Sequence, residues 1–389
     1  MVPFRSHIPA LLFLAGIFFL NFLSRIVMAP LLPTIEEDLH ISHGEAGSFF
    51  LFISLGYFVG LLTSGFITAR LTHRWTIVIS SAAIGGSLLA VGLSHTMGGI
   101  RGGLILLGLA AGLYLPSGIA TITSLVSSRD WGKAIAIHEL APNIGFIAAP
   151  LVAEGLLRWF SWQGIIALLG FAALLAGVLF MRLGKGGRFS GEAPHPTALR
   201  TMFSLPAFWI MMALFSLGIG ASMGVYTMLP LYLVTEQKFE QSWANQLVAF
   251  SRIAGPIVAF AAGWASDKLG PKRAMAGVFL TTGMATLLIG MTTGPWLIPF
   301  LFLQPTLAIC FFPAGFAALA SIGPASLRSV AVSFVVPVAF LMGGGLLPTV
   351  LGIMGDHGSF ALGIMLFGVL LAGGSVLPRY LRLHEEQGE

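Results

Sequence analysis

The chain has 389 residues, of which 56% are hydrophobic and 9% charged, with a formal net charge of +5. A soluble globular domain carries about 25% charged residues, so this composition excludes an ordinary soluble domain and points to a polytopic membrane protein. The single cysteine, Cys310, leaves no disulfide framework and no cysteine-based metal site.

A bilayer crossing takes about 20 apolar residues. Arg5 precedes an apolar run from Ile8 that is not followed by a small-residue cleavage site, so a retained first helix is expected and not a cleaved signal. Breaking the chain at charges, glycine–proline turns and polar clusters predicts helices over 8–33, 45–69, 76–95, 101–125, 133–157 and 163–182. Six more are predicted over 205–233, 243–266, 274–292, 296–322, 328–354 and 359–379. The hydrophilic stretch 184–204 divides them, giving an N-terminal half (1–183), a cytoplasmic linker (184–204) and a C-terminal half (205–389).

Charge placement sets the expected orientation. With the N-terminus in the cytoplasm, 15 of the 20 basic residues fall on the cytoplasmic side, among them Arg200 in the linker and Arg328 before the eleventh helix. Only 3 fall outside, Arg101, Arg158 and Lys238. The stretch "IEEDLHISHGE" is expected as an outer loop. The basic balance is therefore a topology signal and not a nucleic-acid footprint, and the bilayer is the expected surrounding. A multi-pass protein of the cytoplasmic (inner) membrane is expected, with twelve helices sufficient for one chain to act as a monomer.

Two charged turns repeat 198 positions apart. In "GFITARLTHRW", from Gly65 to Trp75, Arg70 and Arg74 correspond to Lys268 and Lys272 of "GWASDKLGPKR", from Gly263 to Arg273. Repeated halves are the building plan of many secondary transporters. Here the chain resembles the major facilitator superfamily, whose loop signature is kept in Gly263, Asp267, Lys268, Gly270, Lys272 and Arg273. The first copy departs from it, with Ala69 in place of the acid and Thr72 in place of the glycine. "LPTVLGIMGDHGSF" also resembles the end of the eleventh helix in that family. The resemblance implies an all-α integral membrane fold, with twelve transmembrane helices in two pseudo-symmetric six-helix bundles and both termini cytoplasmic. It also implies that Asp267 and the neighbouring bases, with Arg70 and Arg74, act as a gate or latch. The alternative for these charges is loop anchoring alone.

Two basic residues fall inside helices, where charge is costly and calls for a cavity or a partner. Arg25 lies in the first helix with Asn21 one turn earlier, and Arg252 lies near the middle of the eighth. Neither has an obvious acidic partner at the same depth, and the alternative to anion binding is a structural arginine paired with Glu139 or with backbone carbonyls. Arginine presents a planar, permanently charged fork suited to carboxylate or phosphate. The resemblance points the same way, toward organic-anion, monocarboxylate and oxalate branches. Tyr57, Tyr114, Asn143, Tyr226 and Gln304 are mid-helix polar groups that could complete a substrate pocket, or serve as packing and interhelix hydrogen-bond residues.

His138 and Glu139 open the fifth helix side by side. Histidine titrates near neutral pH, and either residue could carry a coupled proton. The competing role for Glu139 is an ion pair with a neighbouring base. No phosphate loop or catalytic cluster is legible, so neither an ATP-driven pump nor an enzyme is expected, and no cofactor is implied. The expected function is secondary active transport of a small organic anion, a mono- or dicarboxylate, by alternating access. Proton symport and anion exchange both fit. The alternative is proton-coupled efflux of hydrophobic compounds, which predicts an acid rather than arginines in the pocket.

Overall fold

The computed structural model describes residues 4–191, 202–322 and 328–382, with the side chains of 328–330 excepted. Linker residues 192–201, Arg200 among them, and the Arg328 side chain thus lie outside the described residues. Among the described residues the chain is helical, with 12 helices long and apolar enough to cross a membrane. They are α1 (Phe4–Leu39), α2 (His43–Arg70), α3 (His73–Gly92), α4 (Met97–Leu125), α5 (Ser128–Leu157) and α6 (Trp162–Leu183). They continue as α7 (Pro206–Thr235), α8 (Gln241–Leu269), α9 (Pro271–Met291), α10 (Gly294–Ala320), α11 (Ala331–Asp356) and α12 (Phe360–Tyr380).

The first connection differs from the sequence expectation. The stretch from Ile35 is not an open loop, because α1 runs on to Leu39 and α2 begins at His43. α1 is divided by a turn at Val27: one helical segment ends at Ile26, and the next starts at Met28 and continues through Pro33. Pro30 then falls in the first turn of the new segment, where a missing backbone N–H removes no helical bond. The helix thus carries Glu36, Glu37 and Asp38 into its last turn.

The chain forms two compact units. The first comprises Met1–Thr34 and Phe52–Pro194, and the second Ile35–Leu51 and His195–Glu389. In the first unit, Leu11, Leu14, Ile17 and Phe18 of α1 share a buried core with Ile77, Tyr114, Ala141 and Phe180. There α2 and α4 meet with almost no side chain between them. A Cβ on Gly108 would lie 1.9 Å from the Ile53 carbonyl oxygen, so only glycine permits the approach. Tyr57 sits on that seam.

In the second unit, α7 and α11 each contain a π-helical turn, at Gly220–Gly224 and Phe340–Leu346. The turns pack glycine on glycine. A Cβ on Gly343 would come 2.4 Å from the Gly220 nitrogen, and one on Gly224 would come 2.2 Å from the Gly343 carbonyl oxygen. A π turn breaks the regular bonding ladder and leaves carbonyls to be satisfied by other groups.

Candidate functional site: two buried arginines on tyrosine faces

In the first unit the site grows from the polar stripe of α1. Asn21, Ser24 and Arg25 are all buried, next to the turn at Val27. Asn21 Nδ2 donates to the Ala111 carbonyl of α4 at 3.0 Å, which fixes α1 against α4. Asn21 Oδ1 accepts no hydrogen bond among the described residues. Ser24 Oγ turns back to the Leu20 carbonyl at 2.6 Å. The Arg25 guanidinium lies on the Tyr57 ring, 4.3 Å from its centroid, with the Phe22 ring at 5.2 Å. It also donates a hydrogen bond to the Tyr57 hydroxyl. Aromatic faces attract a cation, and more strongly when water is excluded.

The second unit repeats the theme with other parts. The helix of α8 is interrupted between Phe250 and Gly255, and Arg252 sits in the interruption. Pro256 follows and contributes no N–H. The Arg252 guanidinium lies 4.8 Å from the Tyr226 centroid. Its Nη2 donates to the Ser222 carbonyl and its Nη1 meets Ser222 Oγ at 3.5 Å. Gln304 Nε2 donates to the Ala221 carbonyl at 2.9 Å. Two adjacent carbonyls of the α7 π turn are thus satisfied by Arg252 and Gln304. These two residues tie α8 and α10 to the π turn of α7.

Tyr114 and His138 meet in the first unit. Tyr114 donates to the Leu14 carbonyl at 2.7 Å, and its oxygen lies 3.2 Å from His138 Nε2. The Phe18 ring stacks on the imidazole at 4.2 Å with a 2° interplanar angle. Adjacent helical residues point about 100° apart, yet Glu139 Oε1 folds back to 3.3 Å from His138 Nδ1. His138 is buried, whereas the Glu139 side chain is 48% exposed. Asn143 Nδ2 bonds the Glu139 carbonyl of its own helix at 2.8 Å.

The two charged turns are built differently. Gly270 ends α8 at φ 81° and ψ 149°, a region that is essentially glycine-only, and its N–H reaches the Ser266 carbonyl at 2.9 Å. Lys268 lies over the Trp264 ring at 4.0 Å. Asp267 and Arg273 are exposed, Gly263 and Lys272 are half-buried, and Asp267 makes no ion pair among the described residues. In the first copy Thr72 does the work of the glycine in another way. At φ −101° its hydroxyl accepts from the Trp75 N–H and starts α3. Arg70 is exposed. Arg74 donates to the Gly184, Phe180 and Met181 carbonyls, so it caps the C-terminus of α6.

One polar joint had no role in the sequence reading. In the second unit Asp356, at the end of α11, accepts from the His43 N–H at 2.7 Å and the Gly44 N–H at 2.9 Å. A carboxylate here satisfies the first donors of α2 and meets the positive end of its dipole. His43 Nδ1 in turn lies 2.9 Å from Glu36. The glycine pair Gly44 and Gly352 was the available signal, because a Cβ on Gly352 would lie 2.2 Å from the His43 carbonyl oxygen.

Comparison with known proteins places these features in a family. The Major Facilitator Superfamily profile matches residues 14–309. A protein of Mycobacterium tuberculosis named "Probable nitrate/nitrite transporter" is 23% identical over 98% of this chain and 98% of its own length. The 4-hydroxybenzoate transporter of Pseudomonas aeruginosa is 23% identical over 75% of this chain and 73% of its own. The tetracenomycin C resistance and export protein of Streptomyces glaucescens is 27% identical over 38% of this chain, a match that spans 28% of that longer protein. Among solved structures, a bacterial homologue of the human lysosomal transporter Spinster superposes with a TM-score of 0.80 at 16% identity, covering 97% of this chain and 98% of that one. Twelve membrane-competent helices, the charged turn at Gly263–Arg273 and a profile match over most of the sequence agree: the chain belongs to the major facilitator superfamily, whose members are multi-pass membrane transporters.

Proposed function

We propose that this protein is a secondary transporter of a small organic anion, a mono- or dicarboxylate, working by alternating access in the cytoplasmic membrane. The observation that carries the reading is the pair of buried arginines, Arg25 on Tyr57 in one unit and Arg252 on Tyr226 in the other. Each guanidinium lies on an aromatic face, and the planar fork of arginine is suited to a carboxylate. Asn21 Oδ1, an acceptor with no described partner, suits a hydroxyl or a protonated oxygen of the same ligand. The names of two relatives, a nitrate/nitrite and a 4-hydroxybenzoate transporter, support planar anionic cargo. Coupling is to a proton or to a second anion. The sequence halves 1–183 and 205–389, joined by 184–204, are the moving parts in this proposal, and Asp267 with its neighbouring bases is the latch.

Efflux of hydrophobic compounds is the second reading, favoured by the name of the Streptomyces relative. Uptake into proteoliposomes separates the two. Radiolabelled 4-hydroxybenzoate and nitrate are offered at mildly acidic outside pH, with lipophilic cations as the contrasting cargo. The anion reading expects saturable uptake that falls at least about tenfold, or about 1.4 kcal/mol, in Arg25→Ala and Arg252→Ala. Extrusion of lipophilic cations without anion uptake would replace it with efflux.

A further inference from the structure

The hydrogen bonds around His138 fix where protons sit. The Leu14 carbonyl can only accept, so the Tyr114 hydroxyl proton lies between these two oxygens. The Tyr114 oxygen, 3.2 Å from His138 Nε2, must then accept from that nitrogen, which therefore carries a hydrogen. The other nitrogen, Nδ1, faces Glu139 Oε1 at 3.3 Å. Two lone pairs cannot make that contact. A proton held in it would sit as imidazolium with carboxylate or as neutral imidazole with carboxylic acid.

We propose that His138 and Glu139 form a single-proton binding site, in which Tyr114 locks the Nε2–H tautomer and the Nδ1···Oε1 contact is the position that gains and loses the proton. Loading adds one proton from water to a pair of net charge −1 and makes it neutral, with no other bond formed or broken. The half-exposed Glu139 carboxylate is the port, and the fully buried imidazole is the seat. Stacking on Phe18 holds the ring flat.

The groups facing the pair are few. From α4 comes Tyr114, and from α1 comes Phe18. From α2, Tyr57 lies within electrostatic reach of Glu139, as does Tyr114. The charged residue of α6, Arg182, is exposed in the last turn of its helix, which runs antiparallel to α5 and so ends on the side where α5 begins. Asp130 and Lys133, earlier in α5, pair with each other at 2.9 Å. Tyr57 is also the bed of Arg25, so the charge on Glu139 is felt where the anion is proposed to bind. A loaded pair removes a negative charge from that neighbourhood and favours anion binding. This coupling role rests on the transporter reading above, but the proton site itself does not.

The test therefore uses the proton as the probe and no transport substrate. Purified protein labelled with [15N]histidine is compared at mildly basic and mildly acidic pH by NMR. Infrared difference spectroscopy follows the carboxyl groups in parallel. His138 is assigned by its loss in His138→Gln. The expected result is a His138 whose Nε2 keeps its hydrogen at both extremes while Nδ1 gains one on acidification. The paired infrared change is lost in Glu139→Gln, and Tyr114→Phe yields a mixture of ring tautomers. Glu139 is half-exposed, so Glu139→Gln is expected to fold, and its thermal unfolding beside the wild type verifies this. A His138 protonated at Nδ1 and bare at Nε2 at basic pH would overturn the proposal. So would acid-induced bands in Glu139→Gln identical to those of the wild type. Failure of anion uptake leaves these readings unaffected, so the two ideas fall separately.

Discussion

A charge at the middle of a membrane helix costs about 3 kcal/mol on insertion scales, and the two arginines meet that cost by different means. Arg25 lies between the aromatic faces of Tyr57 and Phe22, whereas Arg252 donates to the backbone of a π turn. Removing a partner from a buried carbonyl costs about 1–3 kcal/mol. Arg252→Ala is therefore expected to lower thermal stability in detergent by more than Arg25→Ala, and equal unfolding midpoints would contradict this. Gly270 makes a separate prediction. At φ 81° and ψ 149° a side chain is strained by about 1–3 kcal/mol, so Gly270→Ala destabilises. Thr72→Gly, by contrast, changes a helix cap by a few tenths of a kcal/mol. Differential unfolding of the two variants measures the contrast. At this scale the sequence was legible where a residue type announces its own problem, as an intramembrane arginine does. It singled out Tyr114, Asn143 and Gln304 without choosing between pocket and packing roles, and their hydrogen bonds go to backbone carbonyls of Leu14, Glu139 and Ala221. Which carbonyl stands opposite a side chain is set by helix packing and leaves no mark in the side chain itself.

Helix existence followed from apolar length and most helix ends from charge, although α1 carries Glu36, Glu37 and Asp38 inside its last turn. Interruptions inside helices did not. The glycines of "GIGASMG" and "LMGGGLLP" permit π turns that arise from the joint packing of α7 and α11. The same packing makes them intolerant. A Cβ on Gly343 meets backbone and not a flexible side-chain tip, so Gly343→Ala is expected to destabilise by about 1–3 kcal/mol, the cost of overpacking. Thermal unfolding at wild-type temperature would show instead that the two helices can part freely. The α1–α2 joint carries a comparable prediction. Asp356→Ala strips the acceptor from two N–H groups at the start of α2, at a cost of about 0.5–2 kcal/mol, and Asp356→Asn restores part of it. Faster amide exchange at His43 and Gly44 in the alanine variant is the direct readout.

At the scale of the whole chain the family was legible because its constraints are one-dimensional. Twelve apolar runs, a polar divide and a charged turn repeated at a fixed offset need no knowledge of packing. The cargo is a different matter, because it depends on which side chains converge, and relatives at 23% identity carry nitrate/nitrite and 4-hydroxybenzoate in their names. The most direct test of the central claim is a thermal-shift series on purified protein against small mono- and dicarboxylates, phosphate esters, sugars and lipophilic cations. Binding to the folded state at a hundredfold excess over the dissociation constant stabilises by about 2.7 kcal/mol. The account predicts that carboxylates raise the unfolding temperature of the wild type and fail to do so in Arg25→Ala and in Arg252→Ala. Stabilisation by lipophilic cations alone, undiminished in both variants, would contradict it and leave the arginines with a structural role only.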